Sequence, residues 1–146
     1  VDRRVLTMSL ISYQHGVYQN LYHLVWATKY RYQCMRQEKY RLAVRRTLEA
    51  AASRHGIVFL ELSVMSDHVH ALVSAHPAMS AAKALGLLKG ASAHSILSEF
   101  PNFRKRYPRG HFWSSGKCGR TVGDVDKEVV ANYVRQQADQ TTLAAY

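Results

Sequence analysis

The spacing of apolar positions changes several times along the chain, and each change predicts a new strand or helix. Residues 21–30 are rich in aromatic and β-branched side chains, with apolar groups on both faces, which is typical of a central strand. Residues 37–55 have apolar positions at helical spacing, and Gly56 follows where a helix commonly ends. The first third of the chain therefore predicts a strand and then a helix.

A hairpin is predicted next. Residues 57–63 and 68–74 are two β-rich runs, and Ser66-Asp67 between them has the short polar composition of a tight turn. Pro77 ends the second run, because proline cannot continue the hydrogen bonding of a strand. The two runs are therefore expected to pair in antiparallel orientation.

A second helix is predicted over residues 80–100, where apolar side chains again recur at helical spacing. Gly86 and Gly90 interrupt it, and a glycine inside a helix costs about 1 kcal/mol relative to alanine. We therefore expect a neighbouring group to approach the helix closely at these positions, or the helix to pack tightly on the sheet.

The last third predicts a basic loop at 103–110, a short strand pair at 111–122 and a final helix at 127–140 that Asp124 caps. The element order is β-α-β-β-α-β-α. Without its last helix this is the ferredoxin-like, or RRM-like, order of an α+β fold, in which helices pack on an antiparallel sheet.

The length of the chain predicts the number of domains, and its charge predicts the kind of partner. The 146 residues are expected to form a single domain, 1–146, with a flexible lead-in at 1–16 and a short tail at 141–146. The chain has 20 Lys and Arg against 10 Asp and Glu, a formal net charge of +10. A polyanion such as nucleic acid is the natural partner. Many basic proteins bind no nucleic acid, so the charge alone does not establish this partner. A functional site must support it as well.

The cellular compartment is predicted from cysteines and hydropathy. Cys34 and Cys118 are too few and too far apart for a disulfide framework, which fits a reducing environment. No run approaches the roughly 20 apolar residues of a membrane span. We expect a soluble, cytoplasmic protein.

Candidate chemistry begins at His68 and His70. Side chains alternate faces along a strand, so the two imidazoles point the same way and could bind one metal ion. Such a pair is also common as a structural or surface feature. Asp67 precedes it and could orient an imidazole, although a carboxylate in a turn is an equal alternative.

The predicted last helix could complete the site. Tyr133 and Gln137 are four residues apart, so they share a helix face. Two imidazoles and an amide oxygen fill about half of an octahedral shell, which suits Mg²⁺ or Mn²⁺ better than zinc. The Tyr133 phenol, with an ordinary pKa near 10, needs such help to attack a phosphodiester. Alternatively, Tyr133 packs in the core and Gln137 is simply exposed.

Basic and aromatic side chains could contact the nucleic acid. The candidate phosphate contacts are Lys29, Arg31, Lys89, Arg104, Lys105 and Arg106. Trp26, Tyr30 and Tyr32 could stack on bases of a single strand, although some of these rings must belong to the core. The histidines without comparable partners are interpreted as surface or loop residues: His23, His55, His76, His94 and His111.

Several motifs in order resemble the HUH endonucleases, specifically the small single-tyrosine transposases of bacterial and archaeal insertion sequences, often called TnpA. The motifs are Tyr22-His23-Leu24-Val25-Trp26, Lys29-Tyr30-Arg31, Val64-Met65-Ser66-Asp67-His68-Val69-His70, Lys89-Gly90-Ala91-Ser92, Phe112-Trp113, Thr121-Val122-Gly123, and Tyr133 with Gln137. The resemblance covers most of the chain. One departure is the stretch from Ser114 to Arg120, where the family often has an aromatic pair.

The resemblance implies a role for each matching residue. It makes His68, His70 and Gln137 the metal ligands and Tyr133 the nucleophile. It further implies cleavage of single-stranded DNA at element ends through a 5′-phosphotyrosine link, and recognition of subterminal hairpins. A homodimer is implied too, in which the tyrosine helix of one subunit can act in the site of the other.

Three other functions are compatible with the sequence. A basic nucleic-acid-binding module without chemistry would share the charge and the fold. A metal hydrolase that uses water would share the histidines. A domesticated relative would cut chromosomal repeats instead of mobilising an element.

Overall fold

A computed structural model of the chain describes residues 20–116 and the backbone of 119–121. Its strands are β1 (Asn20–Ala27), β2 (Val58–Val64), β3 (His68–Ala75) and β4 (Gly119–Thr121). Its α-helices are α1 (Glu38–His55) and α2 (Ala81–Glu99), and 3-10 turns occupy Lys29–Arg31 and Pro101–Lys105. The predicted lead-in at 1–16, the last helix at 127–140 and the tail at 141–146 lie outside the described residues.

The four strands form one antiparallel sheet in the order β2-β3-β1-β4. α1 connects β1 to β2, a hairpin turn connects β2 to β3, and α2 connects β3 to β4, as the ferredoxin-like order requires. The predicted α+β class and the order of the six described elements are therefore confirmed. Across the described ranges, neither helix is long and apolar enough to cross a membrane.

The predicted hairpin carries the histidines. The Met65 N–H donates to the carbonyl of His68 at 2.8 Å, which closes a tight turn around Ser66-Asp67. Val64 then pairs with Val69, and the register continues to a bulge between Phe59 and Glu61. β3 begins at His68 itself, so both histidines lie at the turn end of a central strand.

The two faces of the sheet differ in burial. One face contributes to the core, where Leu24, Trp26 and Val69 are at most 3% exposed and the helices supply the facing side chains. The other face carries His70 together with its cross-strand neighbours Val25 and Ser63. Val25 is 38% exposed and Ser63 is exposed, so the part of this histidine face around His70 is accessible to a ligand.

β1 ends three residues before the predicted boundary at position 30, because the chain leaves the sheet at Thr28. The Thr28 N–H donates to the carbonyl of Asp67 at 2.9 Å, and its hydroxyl donates to the carbonyl of Tyr32 at 2.6 Å. Tyr30 and Arg31 then adopt left-handed backbone angles, with φ of 63° and 52°. A continuous strand over 21–30 was therefore a wrong prediction at its C-terminal end.

The segment at 111–122, predicted as a short strand pair, also differs between prediction and structure. Among the described residues of this range, Trp113 forms an isolated bridge with Thr28, and the one regular strand is β4. The Trp113 indole N–H donates to the Ser92 hydroxyl at 2.9 Å, which ties this segment to α2 instead of to a second strand.

The sequence pattern predicts a helix end at Gly56 and a close neighbour at Gly86 and Gly90. Gly56 ends α1 with a φ of 66°, as predicted for a left-handed cap. A Cβ placed at Gly86 or Gly90 would meet no atom within 4 Å among the described residues. No described residue therefore makes the expected close approach at these two positions.

Gly86→Ala is expected to raise the free energy of unfolding by up to about 1 kcal/mol, because alanine has the higher helix propensity and the space is open. Gly56→Ala should lower it by about 1 kcal/mol, because alanine is strained at positive φ. Urea denaturation of both variants measures the two changes. Destabilisation by Gly86→Ala would show that the position needs glycine for another reason.

Candidate functional site

The two histidines lie on one face of β3. His68 is opposite Ala27 on β1, and His70 is opposite Val25. Successive side chains of a strand point to opposite faces of the sheet, and His68 and His70 are two residues apart. Both imidazoles therefore project from the histidine face. Both are half-buried, which leaves each ring partly open to solvent. A central strand thus holds the pair rigidly.

Asp67 orients the first of these imidazoles. Its Oδ1 lies 2.8 Å from His68 Nδ1, and its Oδ2 lies 3.4 Å from Arg31 Nε. The hydrogen bond from His68, helped by Arg31, holds the pKa of the Asp67 carboxyl below its usual value despite partial burial. An ionised carboxylate accepts a hydrogen bond from Nδ1–H, so the lone pair of His68 is on Nε2 and available to a metal.

A third histidine lies beside the pair. The ring centroid of His23 is 5.7 Å from that of His70, with the planes tilted by 38°. The Nδ1 of His23 is buried and has no hydrogen-bond partner among the residues that the structure describes. The interpretation of His23 as a surface or loop residue is therefore wrong. His55, His76, His94 and His111 are exposed, as expected.

The described residues contain two of the three predicted ligands, His68 and His70. Within 20–116, no group of three His, Cys, Asp or Glu side chains is arranged to hold a metal ion. The predicted third ligand is an amide, Gln137, and it lies with the predicted nucleophile Tyr133 outside the described residues. The imidazole pair and its oriented tautomer fit a divalent ion that takes further oxygen ligands.

Four of the six predicted phosphate contacts border two neighbouring cavities. A cavity of about 570 Å³ is lined by Lys29, Lys89 and Arg104. A cleft of about 310 Å³ is lined by Lys29, Arg106 and Arg109. Lys29 borders both, so the two cavities form a continuous cationic region near the end of β1.

The basic side chains differ in their contacts within the protein. The Lys89 ammonium donates to the carbonyls of Ser114 and Gly116 at 2.6 and 3.2 Å, so it supports that loop. Arg31 contacts Asp67, as described above, although 67% of its side chain is exposed. Lys105 is exposed. Their contacts with nucleic acid stay predictions.

The aromatic candidates for base stacking separate into two groups. Trp26 is only 3% exposed and packs edge-to-face on Trp113, so its expected contact with bases is wrong. Tyr30 and Tyr32 are 67% and 41% exposed. Only the two tyrosines are therefore available to a ligand.

The chain is similar in sequence to known transposases. The family described as "Transposase IS200 like" matches residues 16–137, a span that includes both histidines and reaches position 137. The ISDra2 transposase TnpA of Deinococcus radiodurans is 32% identical over 124 residues, 85% of this chain and 88% of that protein. The transposase for insertion sequence element IS200 of Salmonella typhimurium is 31% identical over 132 residues, 90% of this chain and 86% of that protein.

The fold has a solved counterpart as well. The crystal structure of a transposase candidate from Deinococcus radiodurans R1 matches with a TM-score of 0.66 and 34% identity. The match covers 83% of this chain and 92% of that chain. This likeness agrees with the expected HUH-type fold and with the sheet order described above.

Proposed function

Because the chain belongs to the family of IS200-like transposases, we propose that it is a metal-dependent enzyme that cuts and rejoins single-stranded DNA at the ends of an insertion sequence. One observation carries the proposal. The ionised Asp67 holds His68 in the tautomer that leaves Nε2 free, on the same accessible face as His70.

The proposed ligands are His68, His70 and Gln137. When bound, Mg²⁺ or Mn²⁺ supplies Lewis acidity at a phosphate oxygen of the DNA. The protein contributes rigidity, because the histidines are on a central strand and His68 is oriented by a hydrogen bond. Arg31 supports the same arrangement through its contact with Asp67.

The proposed nucleophile is the phenol oxygen of Tyr133. Its attack forms a bond from the tyrosine oxygen to phosphorus and breaks the bond from phosphorus to the 3′ oxygen. The phenolic proton is lost to solvent or a base, and the leaving 3′ oxygen takes a proton from solvent or an acid and becomes a hydroxyl. One phosphodiester replaces another, so a free 3′-hydroxyl can later reverse the step without ATP.

The proposed partners follow from the family resemblance. They are single-stranded DNA with subterminal hairpins, and a second copy of the chain whose tyrosine helix can act in trans. The cationic cavities beside β1 and the net charge of +10 support a polyanionic partner.

An assay with labelled DNA tests this function. The protein is incubated with a single-stranded element end, or with its duplex, in Mn²⁺ or in EDTA. The expected result is a covalent adduct on a denaturing gel and a free 3′-hydroxyl product, with the single strand and Mn²⁺ only. Cleavage that leaves a free 5′-phosphate and no adduct would identify a hydrolase that uses water. Binding without cleavage would identify a non-catalytic module.

Asp67→Asn is expected to weaken Mn²⁺ binding by about 10- to 100-fold, because an amide orients His68 less strongly and lacks the charge that favours a cation. Titration of Mn²⁺ monitored by electron paramagnetic resonance measures the affinity. Glu61→Gln is the matched control, since Glu61 is an exposed carboxylate on a neighbouring strand. Equal affinity of the wild type and Asp67→Asn would contradict the assigned role.

A further inference from the structure

Two aromatic rings are displayed on the turn after β1. Tyr30 and Tyr32 are 67% and 41% exposed, and their ring centroids are 5.6 Å apart with the planes tilted by 53°. Neither ring belongs to the main core, although the Tyr32 ring centroid lies 6.0 Å from that of the core residue Tyr107. Exposed neighbouring aromatic rings offer π-faces on which any unpaired base can stack.

Cations flank both rings. Lys29 Nζ lies 5.3 Å from the centroid of the Tyr30 ring, and the Arg106 guanidinium carbon lies 5.4 Å from that of Tyr32. Both cations also border the cleft of about 310 Å³, together with Arg109. Aromatic rings interleaved with cations match the alternation of bases and phosphates along a single strand.

The backbone of this turn is strained. Tyr30 and Arg31 are successive non-glycine residues with positive φ, a conformation that L-residues rarely adopt. Such a conformation persists only where the surroundings hold it, and it is concentrated at functional sites. Here it directs the Tyr30 ring towards solvent.

Several contacts hold the strained turn. The Thr28 hydroxyl donates to the carbonyl of Tyr32 at 2.6 Å, and the Tyr107 hydroxyl donates to the carbonyl of Lys29 at 2.9 Å. Burial and the neighbouring Cys34 thiol raise the pKa of Tyr107 well above its ordinary value, so this hydroxyl stays protonated and remains a donor. The rings are therefore presented on a preorganised support.

The turn is connected to the histidine face. Arg31, at the end of the turn, contacts Asp67, and Asp67 in turn contacts His68. The turn is thus joined to the proposed metal site through one ion pair and one hydrogen bond.

We propose that Tyr30 and Tyr32 form a stacking platform for an unpaired base of the DNA single strand, with Lys29 and Arg106 contacting its phosphates. The assignment of DNA as the strand rests on the proposed function.

Binding to a short fluorescent single-stranded oligonucleotide in EDTA tests the platform without any cleavage. Tyr30→Leu is expected to raise the Kd by about 5- to 100-fold, the range of one lost base stack. Tyr30→Phe and Tyr30→Trp should bind within about twofold of the wild type or tighter, since both keep a π-face. Leu42→Ala is the control for an exposed apolar side chain elsewhere, because Leu42 is 57% exposed on α1.

The salt dependence separates stacking from charge. Tyr30→Leu should leave the slope of log Kd against log salt unchanged, whereas Arg106→Gln should reduce it by roughly 0.7 for one lost phosphate contact. Tyr30→Gly should also raise the thermal midpoint while weakening binding, because glycine relieves the strain at positive φ. A purely structural tyrosine would instead lose stability and binding together.

Failure of the platform and failure of the proposed function have different signatures. Equal Kd values for the wild type and Tyr30→Leu, with a normal covalent adduct, would overturn the platform alone. Weaker binding by Tyr30→Leu, in a wild type that forms no adduct, would support the platform and overturn the chemistry.

Discussion

His70→Ala is expected to reduce metal-dependent cleavage of single-stranded DNA by roughly a thousandfold or more. Lewis-acid stabilisation of the transition state is worth several kcal/mol, and each 1.36 kcal/mol is about tenfold in rate. His70 is half-buried at the accessible face of the sheet, so its removal leaves the main core unchanged. The variant should therefore fold normally and lose activity.

Cleavage rates at several Mn²⁺ concentrations, together with a thermal melt, measure this effect. His76→Ala is the matched control, because His76 is exposed just after the end of β3, six residues beyond His70. Partial recovery at high Mn²⁺ would identify the loss as a loss of metal affinity. A His70→Ala variant that cleaves at the wild-type rate would remove the histidine pair from the mechanism.

Tyr133→Phe is expected to abolish the covalent adduct, since phenylalanine has the same shape and no oxygen to bond to phosphorus. Binding of the single strand in EDTA should stay within about twofold of the wild type, because the cationic cavities and the exposed tyrosines are unchanged. A denaturing gel and a binding titration on the same preparation give both values.

Tyr40→Phe is the control for loss of a tyrosine hydroxyl elsewhere. Tyr40 packs edge-to-face on Phe100 at 5.0 Å, and its ring contacts survive the substitution. This control should form the adduct normally. A persistent adduct in Tyr133→Phe would mean that another nucleophile attacks the DNA.

Local patterns in the sequence were sufficient to predict the helices and the hairpin. α1 and α2 have long apolar repeats with clear ends, and Gly56 caps α1 as expected. The turn at Ser66-Asp67 and the alternation of β3 place His68 and His70 on one face without knowledge of the rest of the fold. These features depend only on residues close together in the chain.

The end of β1 could not be predicted in the same way. The apolar pattern continues to position 30, but the chain turns at Thr28 because its backbone and hydroxyl find partners at Asp67 and Tyr32. Those partners depend on where the hairpin turn lies in the folded protein. Local propensity therefore favoured a longer strand, and a tertiary contact overrode it.

The position of His23 beside His70 was missed for a related reason. Alternation puts His23 on the same face of β1 as Val25, but only the register of β1 against β3 brings it near His70. Strands separated by about 40 residues give no register signal in a single sequence. The Lys89 contacts with the loop at Ser114 and Gly116 depend on tertiary packing in the same way.

Tyr133 is expected to become joined to DNA at a site built on His68 and His70. Mass spectrometry of the covalent adduct identifies the residue that carries the DNA. After reaction with a single-stranded element end in Mn²⁺, the protein is digested with nuclease and trypsin. Trypsin cuts after Lys127 and Arg135, so Tyr133 lies in the peptide 128–135. We expect this peptide to carry a nucleotide, and to be unmodified in EDTA and in His70→Ala. A nucleotide on a different tyrosine, or cleaved DNA with no modified peptide, would contradict the account.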